Sequence, residues 1–333
     1  MSFHAYAAHS KRSALKPFVY EPQPLGPHDV EIRISHCGIC HSDVHLVDGD
    51  WGMGSYPMVP GHEIVGTVAA VGPEVRHLEI GARVGVGWQR GACLACDSCI
   101  AGDENLCARN VATCVGNHGG FADRVRLDGR FAFPIPEALA SENAAPLLCG
   151  GATVYSPLRR WAKPSMRVGV VGIGGLGHLA LQFARAMGCE VTAISSSPDK
   201  EPEARGFGAQ RFLATGEPNA LRSAASSLDL ILSTVFVTPD WEGLVGALRP
   251  NGVLCLVGAT SEPVSVQAFT LLGGQKSVTG SAIGGRPAIR EMLAFAARHG
   301  VAAKTQVRPL AEASAALGEV REGRARYRVV LAA

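Results

Sequence analysis

One stretch constrains this chain more than any other: Arg167-Val-Gly-Val-Val171, then Gly172-Ile-Gly174-Gly175-Leu176-Gly177, then an apolar, helix-compatible run to Met187. A strand that turns through glycine into a helix needs a parallel neighbour, because the crossing helix carries the chain back so that the next strand runs the same way. The sequence supplies such neighbours. Short apolar runs at residues 190–194, 228–235 and 253–257 alternate with a polar stretch from Pro198 and a helix-like stretch over 241–248. This α/β alternation predicts a doubly wound parallel sheet wrapped by helices.

The first half has a different texture. In Asp29-Val-Glu-Ile-Arg-Ile-Ser35, Val30, Ile32 and Ile34 alternate with Glu31 and Arg33, the period of a half-buried strand. His62-Glu-Ile-Val-Gly-Thr-Val68, Arg83-Val-Gly-Val86 and Phe121-Ala-Asp-Arg-Val-Arg126 are further short strands, punctuated by some of the 40 glycines and 20 prolines. A small, barrel-like β domain is expected there. Near the end, a helix is expected over 288–298 and a last strand over 327–331 that returns to the first domain. A chain of 333 residues is too long for one ordinary core. The expected division sets residues 1–150 and 285–333 against 151–284.

Lys and Arg number 31 against 29 Asp and Glu, which leaves no basic surplus for a nucleic acid or a membrane surface. No apolar run reaches the roughly 18 residues of a membrane span. The opening Met1-Ser2-Phe3-His4 has no basic flank and apolar core of a secretory signal. A soluble, cytoplasmic protein is expected. Ten cysteines then call for an explanation, because disulfides are rare in a reducing cytosol.

Four of them supply one. Cys93-x2-Cys96-x2-Cys99-x7-Cys107 places four thiolates on one loop, spaced to wrap tetrahedrally around Zn(II). Such a site is closed to substrate and is therefore structural. An iron–sulfur cluster also begins with this spacing, but its fourth spacing and following proline are missing.

Gly172, Gly174 and Gly177 form a G-x-G-x-x-G in the strand–turn–helix setting that gives the motif meaning. The first glycine permits the tight turn, the second admits a pyrophosphate to the backbone, and the third lets helix and strand pack closely. The N–H groups at the helix start suit the phosphates. A dinucleotide's second ribose would meet the end of the next strand. Ser195, Ser196, Ser197 and Lys200 stand there instead of a carboxylate. Hydroxyls and a cation suit a 2′-phosphate, so NADP(H) is expected over NAD(H). Asp199, if it turned onto the ribose, would favour NAD(H) instead.

Several longer motifs occur in a fixed order: Cys37-Gly-Ile-Cys40-His41-Ser42-Asp43, Gly61-His62-Glu63, the four-cysteine lobe, Leu147-Leu-Cys149-Gly-Gly-Ala-Thr153-Val-Tyr-Ser-Pro-Leu158 and Val171-Gly-Ile-Gly-Gly-Leu-Gly-His178. Together they resemble the zinc-containing medium-chain alcohol dehydrogenases, in particular the cinnamyl alcohol dehydrogenase branch. Gly85-Val-Gly-Trp88 and Ala325-Arg-Tyr-Arg328-Val329 are similar to its broad-specificity, NADPH-dependent aldehyde reductases. The resemblance implies a GroES-like, β-rich catalytic domain carrying the cysteine lobe at about residues 88–110, plus a Rossmann cofactor domain. It also implies a homodimer and small aldehyde or alcohol substrates.

Carried over by position, the resemblance gives Cys40, His62 and Cys149 to a second, catalytic zinc, with Glu63 as an occasional further ligand. Asp43 would steady His62. Ser42 and then His45 would relay a proton to the substrate oxygen. His41 and Arg328 would meet the cofactor pyrophosphate. Gly175, Leu176, Thr153, Thr234, Val235, Val257, Gly258, Ser281, Ala282 and Ile283 join the expected cofactor-binding set. Trp51 and Trp88 are candidate walls of an apolar substrate pocket, or core residues.

Other readings stand beside this one. Cys37 and Cys40 form a C-x-x-C, which elsewhere is a redox pair; here Cys37 is taken as a packed thiol. Cys114, Cys189 and Cys255 are taken as structural. A polyol or secondary-alcohol dehydrogenase would use the same fold. A non-catalytic protein that binds NADPH and zinc is the alternative from another class.

Overall fold

A computed structural model describes residues 2–260 and 262–333. The chain forms two compact units, Met1–Ala152 with Gly284–Ala333, and Thr153–Ile283.

The first unit is built on a seven-stranded sheet. Its path runs Thr305–Pro309, Arg328–Ala332, Asp29–Ile39, Glu63–Val71, Arg83–Val86 and Phe133–Pro134, and Arg124–Asp128 also pairs with Asp29–Ile39. All its pairings are antiparallel except the first. The strand Asp29–Ile39 runs four residues past the alternating pattern. A register shift between Ile34 and His36 breaks the period there, yet pairing continues to Ile39 on Arg328–Ala332 and to Gly38 on Glu63–Val71. The last strand therefore closes against the first unit, as the sequence predicted. Val30, Ile32, Ile64, Val84, Val86 and Phe121 pack at its core, all fully shielded from solvent.

The second unit is a six-stranded sheet whose neighbours all run parallel. In space its strands are Arg211–Ala214, Glu190–Ser195, Arg167–Val171, Leu228–Ser233, Leu248–Leu256 and Ser277–Gly280. Taken in chain order that is 3-2-1-4-5-6, the doubly wound arrangement in which the strand order reverses beside the first strand. The helix Gly177–Ala186 buries Leu179, Ala180, Leu181, Phe183 and Ala184, a wide apolar face. Truncating a residue such as Phe183 to Ala would cost about 3–5 kcal/mol.

Among the described residues no helix is long and apolar enough to cross a membrane.

Candidate active site

Asp43 organises the first cluster. It is fully buried in the helix His41–Asp48, which starts from Cys40. Its carboxylate accepts from the Cys40 N–H at 2.8 Å, the Gly61 N–H at 2.8 Å and His62 Nδ1 at 3.0 Å. With the proton on Nδ1, His62 Nε2 is left as a bare lone pair. That nitrogen is buried and has no hydrogen-bond partner among the described residues. A native interior seldom leaves such an atom unmatched.

Two thiols face the same place. Cys40 Sγ lies 4.0 Å from Cys149 Sγ, at the end of the 3-10 turn Ala145–Leu148. Donor atoms of Cys40, His62, Glu63 and Cys149 all lie within 4.8 Å of one another. Two sulfurs, one imidazole nitrogen and a nearby carboxylate are the donor set of a zinc site with a position to spare, so these residues fit the metal. The bond to Cys149 holds the Cys40 thiol well below its usual range despite burial, with help from His62 and Arg328. The same bond, with burial, pushes Cys149 well up.

Small residues make this packing possible. A Cβ on Gly38 would stand 2.0 Å from Glu63 Oε2, and one on Gly61, at φ +99°, would stand 2.5 Å from Phe121. Glu63 is fully buried and accepts from Arg328 Nη2, while its Oε2 has no partner among the described residues. Burial pushes the Glu63 carboxyl up to about 7 against the pull of Arg328.

Ser42 follows Cys40 by two residues, and its Oγ is 3.6 Å from Cys40 Sγ. His45 lies one helical turn on. Its Nδ1 contacts Asp50 Oδ2 at 2.9 Å, and its ring stacks on Trp51 with centroids 5.1 Å apart. His41 sits 5.4 Å from the His45 ring. Trp88 meets the His62 ring edge-on at 4.9 Å while packing against the core, and Trp51 lies 6.4 Å from Trp88. Trp51 is 40% exposed.

In the cysteine lobe, Cys93 Sγ and Cys99 Sγ are 3.8 Å apart. Tetrahedral zinc with Zn–S near 2.3 Å sets sulfurs about 3.8 Å apart, so the lobe also fits the metal. Backbone N–H groups of Ala95 and Cys96 donate to Cys93 Sγ at 3.5 and 3.3 Å, and they hold that thiol down at about 5. The Cys93 N–H and, at 3.3 Å, the Arg109 N–H hold the Cys107 thiol below its usual range. All four donors lie within 4.8 Å of one another.

The second unit presents the glycine turn. Gly172 has φ +85°, and a Cβ on Gly177 would stand 1.8 Å from Gly172 O. Around Gly174 the space is open, so backbone is available to a ligand. Thr234 Oγ1 pins the turn by donating to Val171 O and Gly172 O at 2.8 and 3.0 Å. A cavity of about 920 Å³ opens beside it, lined by Gly172, Ser195, Ser196, Ser197, Lys200 and Val235 among others. Lys200 Nζ reaches Ile173 O at 3.3 Å. Val257 and Gly258 follow the fifth strand, and Ser281, Ala282 and Ile283 the sixth, all at carboxyl ends. Gly175 and Leu176 complete the turn ahead of the helix, while Thr153 is buried in a separate helix, Gly150–Trp161.

Residues 26–137 match the alcohol dehydrogenase GroES-like domain, and residues 175–298 match the zinc-binding dehydrogenase domain. The chain is 45% identical to an aldehyde reductase of Synechocystis sp. over 328 residues, 98% of each protein. It belongs to the zinc-containing medium-chain alcohol dehydrogenases. Within that family it falls in the cinnamyl alcohol dehydrogenase branch. The enzyme of this branch from Sorghum bicolor superposes with a TM-score of 0.95 at 38% identity, covering 100% of this chain and 98% of that one. A probable mannitol dehydrogenase of Fragaria ananassa is 42% identical over 98% of this chain and 94% of its own length. A relative from Helicobacter pylori, solved in complex with NADP(H), has a TM-score of 0.91 at 33% identity over 100% of this chain and 98% of that one.

Sequence alone assigns no role to two neighbours of these groups, Asp50 and Arg222, and gives a third, Cys114, only a structural one. Asp50 is the partner of His45. Cys114, taken as structural, has its Sγ 3.9 Å from His62 Nδ1. Arg222 lines the cavity that Ser195 and Lys200 share. Only Asp50 left a signal: an acid just past the glycine that ends its helix.

Proposed function

We propose that this dehydrogenase reduces a broad range of aliphatic and aromatic aldehydes to primary alcohols, and runs the reverse oxidation, with NADP(H). The bare, buried Nε2 of His62 beside the paired thiols of Cys40 and Cys149 carries this reading. Zinc held by Cys40, His62 and Cys149, with Glu63 within reach, supplies Lewis-acid polarisation of a carbonyl, and NADPH supplies the hydride. The chain's own residues handle the proton. Ser42 would donate to the substrate oxygen as negative charge develops, and His45 would restore the proton to Ser42. Asp43 holds His62 in the tautomer that leaves Nε2 free. Asp50 orients His45 in the same manner. Trp51 and Trp88 give the substrate an apolar wall. Cys93, Cys96, Cys99 and Cys107 hold a structural zinc.

For the cofactor, Gly172, Gly174, Gly175, Leu176 and Gly177 take the pyrophosphate, joined by His41 and Arg328. Thr153, Thr234, Val235, Val257, Gly258, Ser281, Ala282 and Ile283 take the nicotinamide half. Ser195, Ser196, Ser197 and Lys200 line one cavity and take the 2′-phosphate. The NADP(H) complex of the Helicobacter pylori relative supports this assignment.

Ten free cysteines suit a reducing cytoplasm. A homodimer is supported by the sheet-edge strand Ser277–Gly280 and the nearby helix Ala268–Leu272, whose Phe269 and Leu272 are 86% and 69% exposed.

The test is NADPH oxidation with a panel of aldehydes, ketones and ketoses, repeated with NADH. Aldehydes should be turned over fastest, with NADPH favoured. Preference for ketoses would instead support the polyol reading, and no turnover at all would support the non-catalytic one. Ser195→Asp should shift kcat/KM towards NADH by roughly ten- to a hundredfold, because the carboxylate repels the phosphate and accepts from a free ribose hydroxyl.

A further inference from the structure

Glu104 ties the cysteine lobe to a helix far away in sequence. It opens the 3-10 turn Glu104–Leu106 that leads into Cys107, and it is 1% exposed. Its main chain belongs to the lobe: its carbonyl accepts from Gln89 Nε2 at 2.8 Å and from the Cys107 N–H at 3.1 Å. Its carboxylate points elsewhere. Oε2 accepts from the Arg286 N–H at 2.9 Å, and Oε1 accepts from Arg286 Nε at 2.6 Å.

Arg286 is the first residue of the helix Arg286–His299, which has no acid in its first turn and no side-chain cap from Gly285. The lobe therefore supplies both the missing acceptor and the negative charge at the positive end of the helix dipole. The joint is tight. A Cβ on Gly285 would stand 1.8 Å from Gly102 O and 2.7 Å from Glu104 Oε2, and one on Gly102 would stand 2.9 Å from Pro287 Cγ.

The same helix also reaches the bend that carries Cys149. Met292, fully buried, lies one to two turns along from Arg286. Its Sδ would be 3.2 Å from a Cβ on Gly151, wedged beside Leu147. Leu147 and Gly151 flank Cys149 by two residues on either side.

We propose that Glu104 is a positioning residue for Cys149. Metal in the lobe fixes the turn before Cys107, Glu104 fixes the start of the helix, and Met292 holds the Leu147–Gly151 bend that presents Cys149 to Cys40. This rests on reading both clusters as zinc sites.

The experiment uses the full chain with cobalt(II) in the Cys40–His62–Cys149 site, read by its visible absorption, alongside amide hydrogen exchange and turnover. The parent should hold two metals per chain; fewer would overturn the zinc reading itself and this proposal with it. Glu104→Gln keeps the shape and loses the charge. It should retain two metals, exchange the amides of residues 286–290 about tenfold faster, shift the cobalt bands and lower kcat by about three- to tenfold. KM for the aldehyde should hardly move. Met292→Ala should shift the same bands without faster exchange in the lobe. Unchanged cobalt bands in both variants, whatever happens to melting temperature, would reduce Glu104 to a structural ion pair and overturn the proposal. If Glu104→Gln fails to fold, Arg286→Gln, which breaks the side-chain half of the same pairing, is read by the same bands, and unshifted bands there overturn the proposal.

Discussion

All four thiols of the lobe come from one short stretch, Cys93 to Cys107, through the helical turns Asp97–Ile100 and Glu104–Leu106, whereas Cys40, His62 and Cys149 arrive from three places far apart in sequence: the N-cap of His41–Asp48, the residue before the strand Glu63–Val71 and the end of the 3-10 turn Ala145–Leu148. Their surroundings differ as well. Backbone N–H groups point at Cys93 and Cys107, and the Arg109 guanidinium stands beside Cys93. The other cluster is packed among Asp43, Glu63 and Arg328, all buried, and it keeps His62 Nε2 uncommitted. A loop that carries its own donors needs the metal to hold its shape. A cluster whose ligands are already fixed by Asp43 and by the sheet is preorganised before metal arrives, so there the metal can serve chemistry. The two sites should therefore fail in opposite ways.

Removing one ligand from each is the sharpest way to break that contrast. Cys149→Ser should lower turnover by about a thousandfold or more, with melting temperature nearly unchanged. Cys107→Ser should cost several kcal/mol of stability, with turnover of the protein that remains folded reduced about tenfold or less. Zinc per chain should fall from two to one in each case. Melting curves, elemental analysis and turnover on the same preparations decide it. Equal losses of stability in both variants would end the distinction.

Ser42→Ala asks whether the open site works through the chain's own proton donor. Turnover should drop by roughly a hundredfold with cofactor affinity nearly intact, since the hydroxyl acts only as charge develops on the substrate oxygen. Single-turnover kinetics with a saturating aldehyde measures this directly. An unchanged rate would remove Ser42 from the relay.

The same contrast governs what could be read from the sequence. The lobe was legible because its spacing is local, and the doubly wound sheet was legible because a strand, a glycine turn and a helix follow one another without interruption. The strand Asp29–Ile39 was read only as far as Ser35, because the irregularity between Ile34 and His36 shifts alternation out of phase. Cys149 carries no local signal: it follows four apolar residues and reads as core, and only the family resemblance singled it out. Cys114 carries no local signal either: it is a core residue, and only folding sets it against His62. Glu104 looks like an ordinary surface acid before a cysteine; its partner is 182 residues away, and no periodicity reports such a pairing.

The smallest expected effect concerns Asp50 and tests how far preorganisation extends from the metal ligands. Gly49 ends the helix in the left-handed region, at φ +67°, and the Asp50 N–H then bonds back to His45 O at 3.0 Å. That reversal brings the Asp50 carboxylate to His45 Nδ1, with Arg12 3.6 Å away on the other side. The contact is half-exposed, so its direct energy is small. With His45 as the outer relay member proposed above, its value would lie in fixing the tautomer that leaves Nε2 to exchange protons. Asp50→Asn should lower kcat about two- to fivefold, and His45→Ala about three- to tenfold, because water can replace an outer relay member. If Asp50 acts only through His45, the double variant should be no slower than His45→Ala alone. Pre-steady-state rates for the four proteins of the cycle make the test. Multiplying losses would show that Asp50 acts elsewhere, and that order at this site stops at the helix carrying Ser42.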